Sequence, residues 1–221
     1  MNSVPDTKVV DTTTLGYWLA LLRAPGVGAR TYLSLLEQFH SPQAIFEHSS
    51  DSLRKHAKLS DKTLHYLRNP DWDSVEADMR WLEQTENGVI TFDEAAYPAL
   101  LKEIHDPPPL LFYHGTAEIL HYPQLAIVGS RNPSRHGAET AHDFAQHLST
   151  SGLTISSGMA LGIDAAAHQG SIAASGLTVA VAGTGLDRVY PARHRDLAHS
   201  IAERGVLISE FVPGSAALAA H

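Results

Sequence analysis

Cysteine is absent from the 221 residues, which excludes disulfides, a thiolate nucleophile and thiolate metal ligands. No apolar run approaches the ~18–20 residues that a membrane span needs. The opening, Met1-Asn2-Ser3-Val4-Pro5-Asp6, has neither the basic n-region nor the apolar h-region of a secretory signal. The expected compartment is the cytoplasm, with no membrane partner. Lysine is missing from residue 124 onward. The six basic residues there are all arginine, against seven acidic ones, whereas residues 1–123 hold 10 Lys/Arg against 17 acids. A net charge of −8 argues at first against a nucleic-acid partner, but the acidic excess sits almost wholly in the first part. Arginine offers phosphate a planar fork of donors where lysine offers a point charge. Codon bias would give the same count, so the bias carries weight only if a site accompanies it.

Residues 1–14 are polar and threonine-rich and read as a loose tail, with Thr13 or Thr14 capping the first helix. From Leu15 to about Glu86 the apolar spacing is helical. Leu15, Trp18, Leu19 and Leu22 share one face, as do Tyr32, Leu35, Leu36 and Phe39. Pro25-Gly26-Val27-Gly28 separates these two helices, and Ser41-Pro42 and Asn69-Pro70 mark later breaks. A further helix starts near Asp71 and carries Val75, Met79 and Leu82. Residues 1–87 are therefore expected to form a small all-α domain.

The pattern changes at Gly88. Gly88–Phe92 and Leu110–Tyr113 read as strands, with a short helix over Tyr97–Ile104 and a break at Asp106-Pro107-Pro108-Pro109. From Gln124, short apolar strands (Leu125–Val128, Leu153–Ser156, Thr178–Ala182, Val206–Ser209) alternate with helices. The first of these helices has the stripe Ala138, Ala141, Phe144, Ala145 and Leu148, and Gly152 ends it. Such alternation implies an α/β domain over 88–221 with a doubly wound, mostly parallel sheet.

In such a sheet ligands sit at the carboxyl ends of the strands. The first loop there, Gly129-Ser130-Arg131-Asn132-Pro133-Ser134, combines a small residue, a hydroxyl, a guanidinium and a helix start, which together suit a phosphate. A plain strand-to-helix turn with a surface arginine is the alternative. The dinucleotide fingerprint G-x-G-x-x-G is missing, which weakens the case for NAD or FAD, and no cofactor is expected.

The second loop is Ser156-Ser157-Gly158-Met159-Ala160-Leu161-Gly162-Ile163-Asp164, leading to His168. Asp164 and His168 stand four apart on one helix face. Three roles compete for them: a Ser157–His168–Asp164 charge relay, a metal site lacking its third ligand, or bracing of the glycine-rich loop, which is the favoured reading. No G-x-S-x-G elbow presents Ser157 as a nucleophile. The third loop, Gly183 to Arg195, sets Gly183, Thr184 and Gly185 beside Arg188, Arg193 and Arg195. Its Tyr190 is available to stack on a base or to pack beneath the loop. Glu210, in the fourth loop, reads as structural. The 14 histidines are scattered, without H-E-x-x-H, and no metal is expected.

Four ordered segments carry a resemblance. They are Ile127-Val128-Gly129-Ser130-Arg131, Ser157 through His168, Gly185-Leu186-Asp187-Arg188-Val189-Tyr190-Pro191, and Ile208-Ser209-Glu210. With Phe92-Asp93, Tyr97 through Leu101 and Asp106 through Leu110 upstream, they resemble the DprA (Smf) recombination-mediator family over roughly residues 90–214. The resemblance implies an extended Rossmann-like domain preceded by a SAM-like helical domain. It also implies single-stranded DNA binding and protection, RecA loading in natural transformation, homodimers and no enzymatic activity. It places the phosphate pocket at Gly129, Ser130, Arg131, Ser157, Gly158 and Gly162, with Arg135, Arg188, Tyr190 and Arg193 at its rim. The Pro25–Gly28 turn also resembles a helix-hairpin-helix.

Two departures stand out. His194 occupies a position where the family usually has asparagine. The family also continues beyond Pro213-Gly214, so the chain reads as an amino-terminal fragment, expected to be a monomer or weak dimer with an exposed apolar patch. The rival function is a nucleoside-monophosphate phosphoribohydrolase, which Gly183-Thr184-Gly185 faintly resembles. That chemistry wants a catalytic acid, and Asp187 stands too close to the glycines to serve. A protein-binding adaptor would leave the Gly129-Ser130-Arg131 loop unexplained.

Overall fold

The computed structural model describes residues 12–217. The chain divides into two compact units, one running to Glu83 and including Ile90–Leu111, the other comprising Gln84–Val89 and the chain from Phe112 onward.

The first unit is built on six helices: α1 (Thr12–Leu22), α2 (Ala29–Phe39), α3 (Pro42–Glu47), α4 (Ser50–His56), α5 (Asp61–Arg68) and α6 (Trp72–Leu82). Four of them start on a side-chain cap. Ser41, Ser49, Ser60 and Asp71 each accept the backbone N–H three residues on, satisfying a donor the helix itself leaves open. Thr13 and Thr14 lie inside α1 rather than ahead of it, correcting their expected capping role. Helix propensity costs a threonine only a fraction of a kcal/mol, roughly 0.7 at most, and the packing of α1 outweighs it. Trp18, Leu19, Ala20 and Leu21 are all buried, so α1 is enclosed on more than the one stripe its periodicity suggests. The rest of the expected tail, residues 1–11, lies outside the described residues. Tyr32 donates its hydroxyl to the Trp18 carbonyl at 2.9 Å and stacks on the Trp18 ring. In α6 the buried face is Val75, Asp78 and Trp81. Asp78 is 1% exposed and receives both Nε and a terminal nitrogen of Arg23, at 2.7 and 2.6 Å.

The sheet has six strands in the order β1-β2-β6-β5-β4-β3: β1 (Asn87–Thr91), β2 (Leu110–Gly115), β3 (Gln124–Ala126), β4 (Thr154–Gly158), β5 (Thr178–Val181) and β6 (Val206–Ser209). β3, β4, β5 and β6 are parallel, and β2 runs antiparallel to β6. This is the expected Rossmann-like, mostly parallel arrangement. Helix α7 (Ala99–Lys102) is the shortened form of the one expected over 97–104. The crossovers are α8 (Arg135–Thr150), α9 (Ile163–Ala173) and α10 (Arg195–Arg204). Each step moves one strand in the same direction, so right-handed crossovers put all three helices on one face.

α8 and α9 approach closely because small residues line their contact. A Cβ on Gly170 would overlap the His142 carbonyl. Ser149 donates to Ser171 at 2.9 Å, and Ser171 to the Leu177 carbonyl at 2.9 Å. Beneath them Ala145, Ile155 and Ala167 form a buried cluster against which Ile127 and Leu148 pack.

β3 is shorter than the expected strand. Its ladder ends with the Ile127 N–H donating to the Ser156 carbonyl at 3.0 Å. The chain then leaves the sheet to form the loop at Gly129. Leu125, Val128 and, on α8, Phe144 are exposed apolar side chains, Val128 at 74%. No helix among the described residues is long and apolar enough to cross a membrane.

Candidate functional site

The carboxyl ends of β3, β4 and β5 lie side by side, and the loops after them enclose a cavity of about 570 Å³. Arg131 lines it from the first loop, Gly158 through Leu161 from the second, and Gly183, Thr184 and Tyr190 from the third. Phe211 and Ala217 supply a wall from beyond β6. Three bonds hold that wall: the Ser209 hydroxyl donates to the Thr184 carbonyl, Gly185 N–H to the Ser215 carbonyl, and Gly214 N–H to the Asp187 carboxylate.

The glycines of the first two loops serve mainly to bring those loops together. Gly162 has φ +84°, and a Cβ there would stand 2.8 Å from the Arg131 carbonyl and closer still to that of Ser130. The Ser130 carbonyl also accepts the Ile163 N–H at 3.1 Å. A Cβ on Gly129 would meet Ile163 at 2.8 Å, and one on Gly158 would meet an Asp164 oxygen at 2.5 Å. The Ser130 hydroxyl accepts the Asn132 N–H at 3.1 Å, tightening the turn. Of the glycines in the three loops, Gly183 alone is open, with nothing within 4 Å of where a side chain would begin.

Of the residues expected to form the phosphate pocket, Arg131 and Gly158 line the cavity. Gly129, Ser130 and Gly162 shape it from behind. Ser157 is buried and donates its hydroxyl to the Ile127 carbonyl at 2.5 Å, tying β4 to β3. That hydroxyl is turned from the cavity. Arg131 is exposed and makes no hydrogen bond or ion pair with any described residue. Of the residues expected at its rim, Arg193 and Arg188 do not line this cavity; Arg193 makes no hydrogen bond or ion pair with any described residue, and Arg188 is paired with Asp187 at 3.0 Å. Arg135 pairs with Glu139 one turn along α8, at 2.9 Å, and is not part of the cavity wall. Tyr190 is 62% exposed, so it stands over the cavity rather than packing beneath the loop.

Asp164 and His168 brace the second loop. Asp164 accepts the Ala160 N–H at 3.3 Å. His168, fully buried, donates from Nε2 to the Gly158 carbonyl at 2.9 Å, and its Nδ1 lies 2.7 Å from the Thr178 hydroxyl. With Ser157 bonded to Ile127 and His168 to Gly158 and Thr178, these three residues form no charge relay. Burial holds the His168 pKa down to about 4, outweighing the Gly158 carbonyl and the Asp164 carboxylate that favour its charged form. Its ring is neutral at pH 7. His194 is also buried, its Nδ1 3.0 Å from the Met159 carbonyl. It thus supports the second loop. Among the described residues no group of three or more His, Asp or Glu is arranged to hold a metal ion.

Met159, Leu161, Phe211 and Ala217 were not singled out by sequence reasoning. They give the cavity its apolar lining, and their only signal is their position, Met159 and Leu161 within a glycine-rich loop and Phe211 and Ala217 in the segment that follows β6.

Residues 88–221 match the family model of DNA recombination-mediator protein A. Protein Smf of Escherichia coli is 42% identical over 139 residues, which is 62% of this chain and 37% of that protein. DNA processing protein A of Streptococcus pneumoniae has a solved structure that superposes with a TM-score of 0.78 at 30% identity, covering 92% of this chain and 70% of that one. A second structure, addressing the single-stranded DNA binding mode of DNA processing protein A from Helicobacter pylori, gives 0.53 at 25% identity, covering 61% and 60%. The chain spans about half or less of the length of the curated relatives it matches. On a family-model match that takes in more than half of the chain, including strands β2 to β6 and every loop of the cavity, the chain belongs to the DNA recombination-mediator protein A family.

Proposed function

We propose that this chain binds single-stranded DNA by its phosphate backbone at the crevice beyond β3, β4 and β5, with Arg131 as the leading charged contact. The observation that carries this is an unpartnered guanidinium at the wall of a 570 Å³ cavity otherwise lined largely by backbone and apolar atoms. The two nearby carboxylates are committed to holding the loops, Asp164 accepting the Ala160 N–H and Asp187 pairing with Arg188 and accepting the Gly214 N–H. That engagement also disfavours a phosphoribohydrolase, which needs a free catalytic acid beside the loop. In this reading the exposed Tyr190 stacks on a base, a contact that is tolerant of sequence.

Family membership supports the wider reading that the strand is protected and passed to a RecA recombinase in the cytoplasm during transformation. The relevant assay compares RecA filament formation on coated single strands with and without the chain. For the site itself, gel shifts with single- and double-stranded oligonucleotides provide the test. Preferential single-strand binding that Arg131→Ala weakens is expected, and binding unaffected by that change would refute the reading.

A further inference from the structure

Beside the cavity, across Thr184 and Tyr190, lies a second pocket of about 390 Å³. Met159, Thr184 and Tyr190 line both. Its floor is apolar, made by Ala182, Leu186, Ala198 and Leu207. Its polar lining includes four groups that are cationic or can become so: Arg188 from the loop, His114 from β2, and Arg195 and His199 from α10. Asp187, its one acidic lining residue, is occupied by the Gly214 N–H and by Arg188.

Arg195 and His199 stand four apart, one turn along the same helix face. Both are exposed, and neither side chain makes a hydrogen bond or ion pair with any described residue. Two adjacent cation-capable side chains without partners, over a floor of small and branched apolar residues, describe a particular kind of ligand. It has a flat apolar body and an anionic end. The volume falls within the range of small-molecule sites, roughly 300–1,000 Å³, and is near its lower limit, which suits one nucleotide and little more.

We propose that this second pocket takes a single nucleoside phosphate, its base on the Ala182–Leu207 floor and its phosphate on Arg195 and His199. Tyr190, shared by the two pockets, is the wall around which a bound strand would pass from one to the other. As a subsite for the strand this rests on the single-stranded DNA reading above; as a nucleotide site it stands without it.

The test uses the full chain with two probes, dT20 and dTMP, titrated into the wild type, an Arg195→Glu His199→Ala variant, and Arg131→Ala. The altered side chains are exposed and unpartnered, so the fold should persist, and melting curves check this. Arg195→Lys, which keeps the charge, serves as a second variant and should retain most of the binding. The double variant is expected to lose about fivefold or more in affinity, the scale of one screened charge-assisted hydrogen bond. Loss on dT20 alone assigns the pocket to a nucleotide of the strand, loss on dTMP alone to a free nucleotide, and loss on both to a subsite serving either. If the double variant binds both probes like the wild type, the pocket proposal is overturned whatever Arg131→Ala does. If Arg131→Ala leaves dT20 binding unchanged while the double variant loses dTMP, the first site fails and the second stands.

Discussion

Gly162 and Ser130 meet where a side chain would have to be: a Cβ on Gly162 would overlap the Ser130 carbonyl oxygen, which the neighbouring Ile163 N–H also uses. The loop bearing Arg131 therefore rests against the loop after β4, and that contact fixes the backbone from which the guanidinium extends.

Gly162→Ala should accordingly damage both fold and site. Its backbone lies in the left-handed region, at φ +84°, and the added methyl has no free space. The cost is expected to be on the order of 2–4 kcal/mol, combining strain and steric displacement. Gly183→Ala, where the space is open, should change stability by less than about 1 kcal/mol. Urea unfolding of the two variants checks the contrast, and equal effects would show that the loops are not in contact.

The neutral, buried His168 makes stability depend on pH. Its folded pKa is about 4, below the unfolded value of 6.5. Between those values the unfolded chain binds the proton and the folded chain does not, so stability falls as pH falls from about 6.5 towards 4. The contribution is complete above 6.5 and on the order of 3 kcal/mol. His168→Gln would start from a lower stability, yet lose less of it over that window. Parallel acid titrations of the two proteins would contradict this account.

Much of this was legible in the sequence, and the failures have physical causes. Alternating apolar strands and helical stripes located the elements from Gly88 onward, because burial imposes a period of two or 3.6 on side chains. The three loops were identifiable as a set, because a parallel sheet brings its strand ends together. Ser157 was not: a serine at a strand end reads as a donor to ligand, and only coordinates reveal its bond to Ile127. Asp78 was passed over because a charged residue in an amphipathic helix reads as solvent-facing, and its partner Arg23 is 55 positions away. His114 and His199 were indistinguishable from the other scattered histidines, since their pocket forms only when β2 and α10 are brought together.

The Arg23–Asp78 pair gives a test confined to the helical unit. Asp78→Ala takes from a half-buried guanidinium the carboxylate that holds it firmly protonated. A loss of about 3 kcal/mol is expected, the lower part of the range for breaking a buried pair. Arg23→Met with Asp78→Leu removes both charges and should be much less costly. A thermal-melt cycle of single and double variants measures the coupling, and additive losses would rule it out.

Arg131 gives the most direct test of function. Among the described residues it has no partner whose loss would follow from its removal, so Arg131→Ala should affect binding without loss of stability. Phosphate contacts position a strand without reading it, so poly-dT and mixed oligonucleotides should lose affinity alike, by about 1–3 kcal/mol. Single-strand binding weakens with salt at a slope of about −0.7 per neutralised phosphate, and the variant's slope should be shallower by about that amount. Arg131→Lys keeps the charge but not the planar fork, so it should recover the slope better than the affinity. Arg204, exposed at the far end of α10, is the control, and its replacement by alanine should leave both quantities near wild type. Titrations across salt concentration separate these outcomes. A variant that keeps the wild-type slope yet binds weakly would mean that Arg131 shapes the loop rather than contacting phosphate. If both affinity and slope are unchanged, the strand binds elsewhere.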